Sequence, residues 1–182
     1  MDDKNLVLAL AEHPDLRLRA IGREDIENLR IWKNRNKGSF FLNRDISPEE
    51  QEKWFAAFQA RDEDLMFVVE QMVGDGWQAI GCMGFRKLAD EGCIDAYNIM
   101  RGAKPAPGSF TMSDAFRAML AFAAANYQDL PIRCKVLCAN PAVEWYKKND
   151  FSIVDKVDDE YYLMELSKDS LKNCNVIISD TK

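Results

Sequence analysis

Residues 135–151 read KVLCANPAVEWYKKNDF, and this stretch from Lys135 to Phe151 decides the fold. Lys135, Val136, Leu137 and Cys138 alternate polar and apolar, the period-two pattern of a half-buried strand. Asn140 directly precedes Pro141, an N-cap residue followed by proline at the first helical position. On the short helix that follows, Ala142, Trp145, Tyr146 and Asn149 fall on one face. Asn149 and Asp150 both tolerate the left-handed conformation in which helices often end. Phe151 then begins another strand.

Outward from this segment the chain alternates helical and extended patterns. Leu16–Ile21 alternates as a first strand, and residues 24–36 form a helical pattern with Ile26, Leu29 and Trp32 on one side. Ser47 with Pro48 and Glu50 is a capping box with proline at the first helical position. The helix it opens carries an aromatic stripe of Trp54, Phe55 and Phe58. Strands follow at Leu65–Met72 and Gln78–Lys87, separated by the turn residues Gly74, Asp75 and Gly76, and then at Cys93–Arg101. A Pro- and Gly-rich stretch at 104–108 leads to a long helix near Met112–Tyr127, with Met112, Phe116, Met119 and Ala123 as its buried stripe. Strands at Ile132–Cys138, Phe151–Lys156 and Tyr161–Leu166 complete the pattern, which by itself supports a mixed α/β class. Residues 1–14 read as an N-terminal extension, and 168–182 as a C-terminal one with a candidate extra edge strand at Asn175–Ser179.

At 182 residues with 47% hydrophobic content, one domain with a full core is expected. The formal net charge of −6 argues against nucleic acid as partner and exerts a mild pull on cationic acceptors. The five cysteines lack the paired spacing of a zinc site and read as reduced, mostly buried thiols of a cytoplasmic protein. No apolar run is long enough to span a membrane, and the N-terminus lacks a signal-peptide layout.

The segment 135–151 resembles the closing strand–helix–strand of the GNAT superfamily of N-acetyltransferases, roughly V-x-x-x-N-x-x-A-x-x-x-Y-x-K-x-G-F. Val136, Asn140, Tyr146, Lys148 and Phe151 match it, with Val143 at the alanine and Asp150 at the glycine. The resemblance covers about residues 15–167 and implies a mostly antiparallel central sheet of about seven strands flanked by about four helices. It also implies acetyl-CoA as donor, direct transfer to a primary amine, and no metal. Tyr146 is then the acid that protonates the departing thiolate, although its helical position alone favours core packing. Asp95 stands where relatives carry a carboxylate base. With Cys93, Tyr97 and Ile99 on its face, it is either a base with a raised pKa or an exposed charge at a strand end.

By the same resemblance the strand at Cys93–Arg101 parts from the one at Ile132–Cys138. Backbone groups of Ile99, Met100 and Arg101 then hold the thioester and pantetheine, and Asn140 both caps its helix and contacts the pantetheine arm. A coenzyme A site in so acidic a protein must be locally basic or built from backbone N–H groups. The phosphate loop departs from the family: proline stands at its first basic position, Gly108 is retained, and Phe110 replaces a small residue. Asp114 would also compete with an anion for the helix N-terminus. Either the loop is remodelled with Lys104 and Ser109 assisting, or cofactor binding is weakened or lost.

Trp32, Asn34, Phe41, Asn43 and Trp54 belong to the two early helices and their connection, which would wall the acceptor; these aromatics either grip a ring or fill the core. The run resembles ribosomal-protein N-terminal acetyltransferases and amino-sugar acetyltransferases. The acceptor is accordingly a small amine such as an amino sugar, or a peptide N-terminus, and a homodimer is left open. The rival reading is a non-catalytic module that keeps the fold and binds a ligand or partner. His13, the single histidine, receives no role.

Overall fold

The computed structural model describes residues 5–104, 111–167, 169–171 and 174–180. Among these residues nine strands form one sheet: β1 (Leu6–Leu10), β2 (His13–Ala20), β3 (Asp64–Val73), β4 (Gly76–Leu88), β5 (Cys93–Arg101), β6 (Ile132–Leu137), β7 (Phe151–Val157), β8 (Tyr161–Leu166) and β9 (Val176–Asp180). Their order is β7-β8-β6-β5-β4-β3-β2-β1-β9. Every neighbouring pair is antiparallel except β5 and β6. The helices are α1 (Ile26–Arg35), α2 (Pro48–Gln59), α3 (Met112–Asn126) and α4 (Ala142–Lys148).

This is the mixed, mostly antiparallel architecture expected, with β1 and β9 beyond the seven strands counted. β9 is the candidate edge strand at Asn175–Ser179, and β1 is the unanticipated one; they pair with each other at the far edge from Leu6↔Asp180 to Leu10↔Val176. Leu6–Leu10 is a continuous apolar run, buried at Leu6, Val7, Leu8 and Leu10, so it carries no alternation to announce a strand.

Local chemistry accounts for the element ends. Ser47 Oγ accepts from the Glu50 N–H at 3.2 Å while Glu50 Oε2 accepts from the Ser47 N–H at 2.9 Å, closing the capping box that starts α2. β3 and β4 join through the two-residue loop Gly74-Asp75, with Gly74 at φ +58°, a conformation glycine adopts without cost. Asp150, at the position relatives give to glycine, has φ +64° and ends α4 in the left-handed region.

The helices divide between the two faces of the sheet. On one face Phe116, Met119 and Ala123 of α3 and Val143 and Tyr146 of α4 pack with Leu8, Phe67, Phe85 and Met164 in the larger core. On the other, Ile26, Leu29 and Trp32 of α1 and Phe55 of α2 pack with Val68, Cys82 and Met100. The five cysteines are free, three of them buried. Among the described residues no helix is long and apolar enough to cross a membrane.

Candidate active site

The site begins where the sheet stops being continuous. β5 and β6 pair only at Ile94↔Ile132 and Asp95↔Arg133, yet β5 runs on to Arg101 and β6 to Leu137. Beyond Asp95 the two strands diverge, and backbone N–H and C=O groups on the facing edges have no strand partner. A second irregularity lies in the same place. The β4–β5 register passes from Gly84↔Tyr97 to Cys82↔Met100, so β5 carries one extra residue, and Asn98 there takes φ +51°. The bulge reverses the alternation of side chains. Tyr97 and Met100 face the α1/α2 core, whereas Ile99 packs against the α3/α4 core. Ile99 therefore does not share a face with Tyr97, contrary to the expectation from uninterrupted alternation.

A cleft of about 1100 Å³ opens from this split. Of the residues singled out from the sequence, Asp95, Ile99, Met100, Arg101, Lys104, Asn140, Tyr146, Phe41 and Trp54 line it. Trp32, Asn34 and Asn43 do not. Trp32 is a core residue at 7% exposure, pressed under Gly102. Asn34 grips the chain before α2, donating from Nδ2 to the Ile46 carbonyl at 3.0 Å and accepting from the Ile46 N–H at 2.8 Å. Asn43 is exposed, in the turn closed by its N–H to the Phe41 carbonyl. Gly108, Ser109 and Phe110 lie outside the described residues.

Tyr146 is held by its ring, edge-on to Trp145, Phe116 and Phe151 with centroids 5.1, 5.9 and 5.6 Å away. Its hydroxyl makes no hydrogen bond with any described residue, and burial pushes its pKa well above the ordinary phenol value. The group stays protonated through the neutral range, with a proton committed to nothing else. Asn140 Oδ1 accepts from the Ala142 N–H at 2.9 Å, capping α4, and its Nδ2 donates to the Ser39 carbonyl at 3.1 Å.

Asp95 is buried rather than an exposed strand-end charge. Burial raises its pKa, and Arg86 opposes that, donating from Nε to Oδ2 at 3.0 Å with its Nη2 in ion-pair contact 2.9 Å from the same oxygen. Arg86 also lies over the Tyr97 ring, 4.7 Å from its centroid, while the Tyr97 hydroxyl donates to Asp64 at 2.5 Å. Burial and the adjacent Asp64 carboxylate push the Tyr97 pKa up.

In a chain of net charge −6, the cleft is basic: seven lining residues are cationic and one, Asp95, is acidic. Arg61, Arg86 and Lys135 are paired with Asp64, Asp95 and Glu91. Arg35, Arg101, Lys104 and Lys33 have no carboxylate partner among the described residues. The first three gather at the end of β5, where Arg35 Nη1 donates to the Gly102 carbonyl at 3.4 Å.

Lys33 escaped the sequence reading because nothing in a helical pattern separates it from an ordinary surface lysine. Its Nζ donates to Asn98 Oδ1 at 2.7 Å and sits 4.7 Å from the Phe40 ring centroid, and burial lowers its pKa. At the start of α3, Asp114 Oδ2 accepts from the Thr111 N–H at 2.7 Å and from its hydroxyl at 2.9 Å, with His13 Nε2 3.8 Å from Oδ1. The expected capping carboxylate is thus present at this helix N-terminus. No cluster of three or more metal-ligating side chains occurs among the described residues.

The family profile described as acetyltransferase (GNAT) domain matches residues 15–151. No curated protein sequence matches the chain. A domain from Methanocaldococcus jannaschii superposes with a TM-score of 0.70 at 15% identity, covering 83% of this chain and 97% of that one. Spermidine N-acetyltransferase from Vibrio cholerae, in complex with CoA and spermine, gives 0.59 at 18% identity, covering 90% of this chain and 95% of that one. The N-acetyltransferase PseH of Campylobacter jejuni gives 0.59 at 18% identity, covering 85% and 99%. At these identities the likeness is one of fold.

Proposed function

Since the chain belongs to the acetyltransferase (GNAT) domain family, we propose that it transfers an acetyl group from acetyl-CoA directly to a primary amine of a small molecule or a peptide N-terminus. The observation that carries this reading is the cleft at the β5–β6 split, where Tyr146, Asp95 and unpaired cations meet. The residues fit the donor. The open edges of β5 and β6 supply amide-binding groups, and Arg35, Arg101 and Lys104 supply positive charge for phosphates. When bound, acetyl-CoA brings an activated acyl carbon; the amine forms the new C–N bond as the C–S bond breaks.

The chain's own residues then manage protons and position. Asp95, its ionised form supported by Arg86, accepts a proton released by the amine, directly or through water. Tyr146 donates its phenolic proton at the leaving sulfur. The β5 bulge fixes which backbone groups face the cleft, and the aromatic packing around Tyr146 fixes its ring. No cysteine is needed as nucleophile: burial pushes the Cys82 thiol up to about 12 and holds Cys134 well above its usual range.

Calorimetric titration with acetyl-CoA, with thiol release followed over a panel of amines, tests the proposal. Micromolar binding with amine-dependent thiol release is expected. Binding without transfer to any amine favours the non-catalytic rival, and no binding overturns the reading.

A further inference from the structure

A second chamber of about 160 Å³ adjoins the cleft between α1, α2 and the β5 bulge, sharing Lys33, Leu42, Trp54, Asn98 and Met100 with it. It is too small for a whole ligand of ordinary size, which occupies about 300 Å³ or more, so it accepts one end of a molecule lying in the cleft. Its walls are largely apolar. Its charges reduce to one, because Arg44 is bound to Glu50 through two hydrogen bonds at 2.9 and 2.7 Å. The remaining charge is the Lys33 ammonium, with Asn98 Oδ1 on one proton and no carboxylate facing it among the described residues.

A second, independent observation points to a ligand. Gln51 on α2 is 6% exposed and lines this chamber, yet its side-chain amide makes no hydrogen bond with any described residue. No side-chain polar atom among the described residues is both fully buried and unpartnered, so the Gln51 amide keeps an opening, and its donor and acceptor are available to a group entering the chamber.

We propose that this chamber receives an oxyanion carried by the acceptor, a carboxylate or a phosphate, on the Lys33 ammonium and the Gln51 amide. The acceptor is therefore an anionic amine and not a polyamine. The proposal rests on the acetyltransferase reading for the word acceptor. Arg35, Arg101 and Lys104 lie toward the end of β5, where they would hold donor phosphates, which leaves Lys33 for the acceptor. A second ammonium, as in the spermine bound by the Vibrio cholerae relative, would meet the Lys33 charge in a half-buried site whose one carboxylate among the described residues, Glu50, is engaged by Arg44.

The test is calorimetry on CoA-saturated protein with four ligands sharing one chain length: hexylamine, hexanediamine, ε-aminohexanoate and aminohexyl phosphate. At least one of the two anionic ligands is expected to bind at least tenfold more tightly than hexylamine, and the diamine more weakly. Comparing carboxylate with phosphate identifies which oxyanion is read. Lys33→Gln and, separately, Gln51→Leu should each shrink the anionic preference, Lys33→Gln by tenfold or more. Tightest binding of the diamine, or an unchanged preference in both variants, overturns the proposal. Thiol release from acetyl-CoA in the same samples reports separately on acetyl transfer, so failure to transfer does not obscure the binding result.

Discussion

The Cα of Gly102 rests against the indole of Trp32: a methyl group at that position would come within 2.1 Å of Cε2 and 2.4 Å of Cδ2. The same stretch of backbone is fastened from the other side, where the N–H groups of Gly102 and Ala103 both donate to the Ile80 carbonyl at 2.8 and 2.9 Å. Strand β5 thus ends in a clamp with no room for a side chain. Gly102→Ala is expected to destabilise the protein by about 1–3 kcal/mol through overpacking. Trp32→Leu should relieve part of that, giving a coupling of about 1 kcal/mol or more in a urea-denaturation double-mutant cycle. Strict additivity would mean that the clamp yields freely.

Tyr146→Phe separates chemistry from packing. The ring contacts persist and the lost hydroxyl leaves no partner unsatisfied among the described residues. The melting temperature and acetyl-CoA affinity should stay at wild-type values, while kcat falls roughly 10²–10⁴-fold. Wild-type turnover, with chemistry shown to limit the rate, would remove Tyr146 from the mechanism.

The Asp95–Arg86 pair predicts a pH dependence whose sign follows from burial. Because the folded pKa of Asp95 lies above its ordinary value, the folded protein holds this proton more tightly than the unfolded chain. Its contribution to stability is therefore present at low pH and is lost as pH rises through the folded value. For catalysis the ionised form is required, so kcat should rise with pH through that same window. Arg86→Gln removes the opposing charge and should move this acid limb to higher pH; Asp95→Asn should abolish it. A limb that stays in place in Arg86→Gln would assign it to another group.

At the start of α3, Asp114 occupies the Thr111 N–H that an anion would otherwise find. Asp114→Asn keeps a capping side chain but removes a negative charge from the helix N-terminus. A gain of about 0.3–1 kcal/mol, roughly two- to fivefold in Kd, is expected for CoA and none for pantetheine. An equal change for both ligands would mean that the substitution alters the helix and not the phosphate site.

Features set by near neighbours were readable from the chain alone. The Ser47–Glu50 capping box, the Gly74-Asp75 turn and the left-handed Asp150 each involve residues within a few positions of one another, where sterics and hydrogen bonding leave few alternatives. Tyr146 and Asn140 were found through a motif that is itself contiguous. Long-range encounters were not readable. β9 pairs with a strand about 170 positions earlier, as Leu6↔Asp180 shows, and Leu6–Leu10 lacks alternation. In the cleft Lys33 bonds to Asn98, 65 residues away. The bulge that enables this is marked in the sequence by one asparagine inside an apolar strand. Trp32 and Trp54 show the same limit from the other side, since two tryptophans on consecutive helices gave equal grounds for either wall or core. The fold sends Trp32 inward and Trp54 to the cleft.

Two paired positions between β5 and β6 are all the strand pairing that joins the two halves of the nine-stranded sheet on either side of them. Mechanically the sheet is two leaves on a short hinge: six strands on one side, and β6, β7 and β8 on the other. Across the hinge the two leaves are tied by packing: Phe116 on α3 reaches to Trp145, Tyr146 and Phe151, and Ile132, Val136 and Met164 share one core with the larger leaf. The smaller leaf is therefore set apart as a unit that opens below the global unfolding free energy, with amide exchange in β6–β8 faster than in β3 and β4. Any molecule bonded to both open edges adds rungs to the hinge, so its binding energy appears as slowed exchange in the smaller leaf, far from its own contacts.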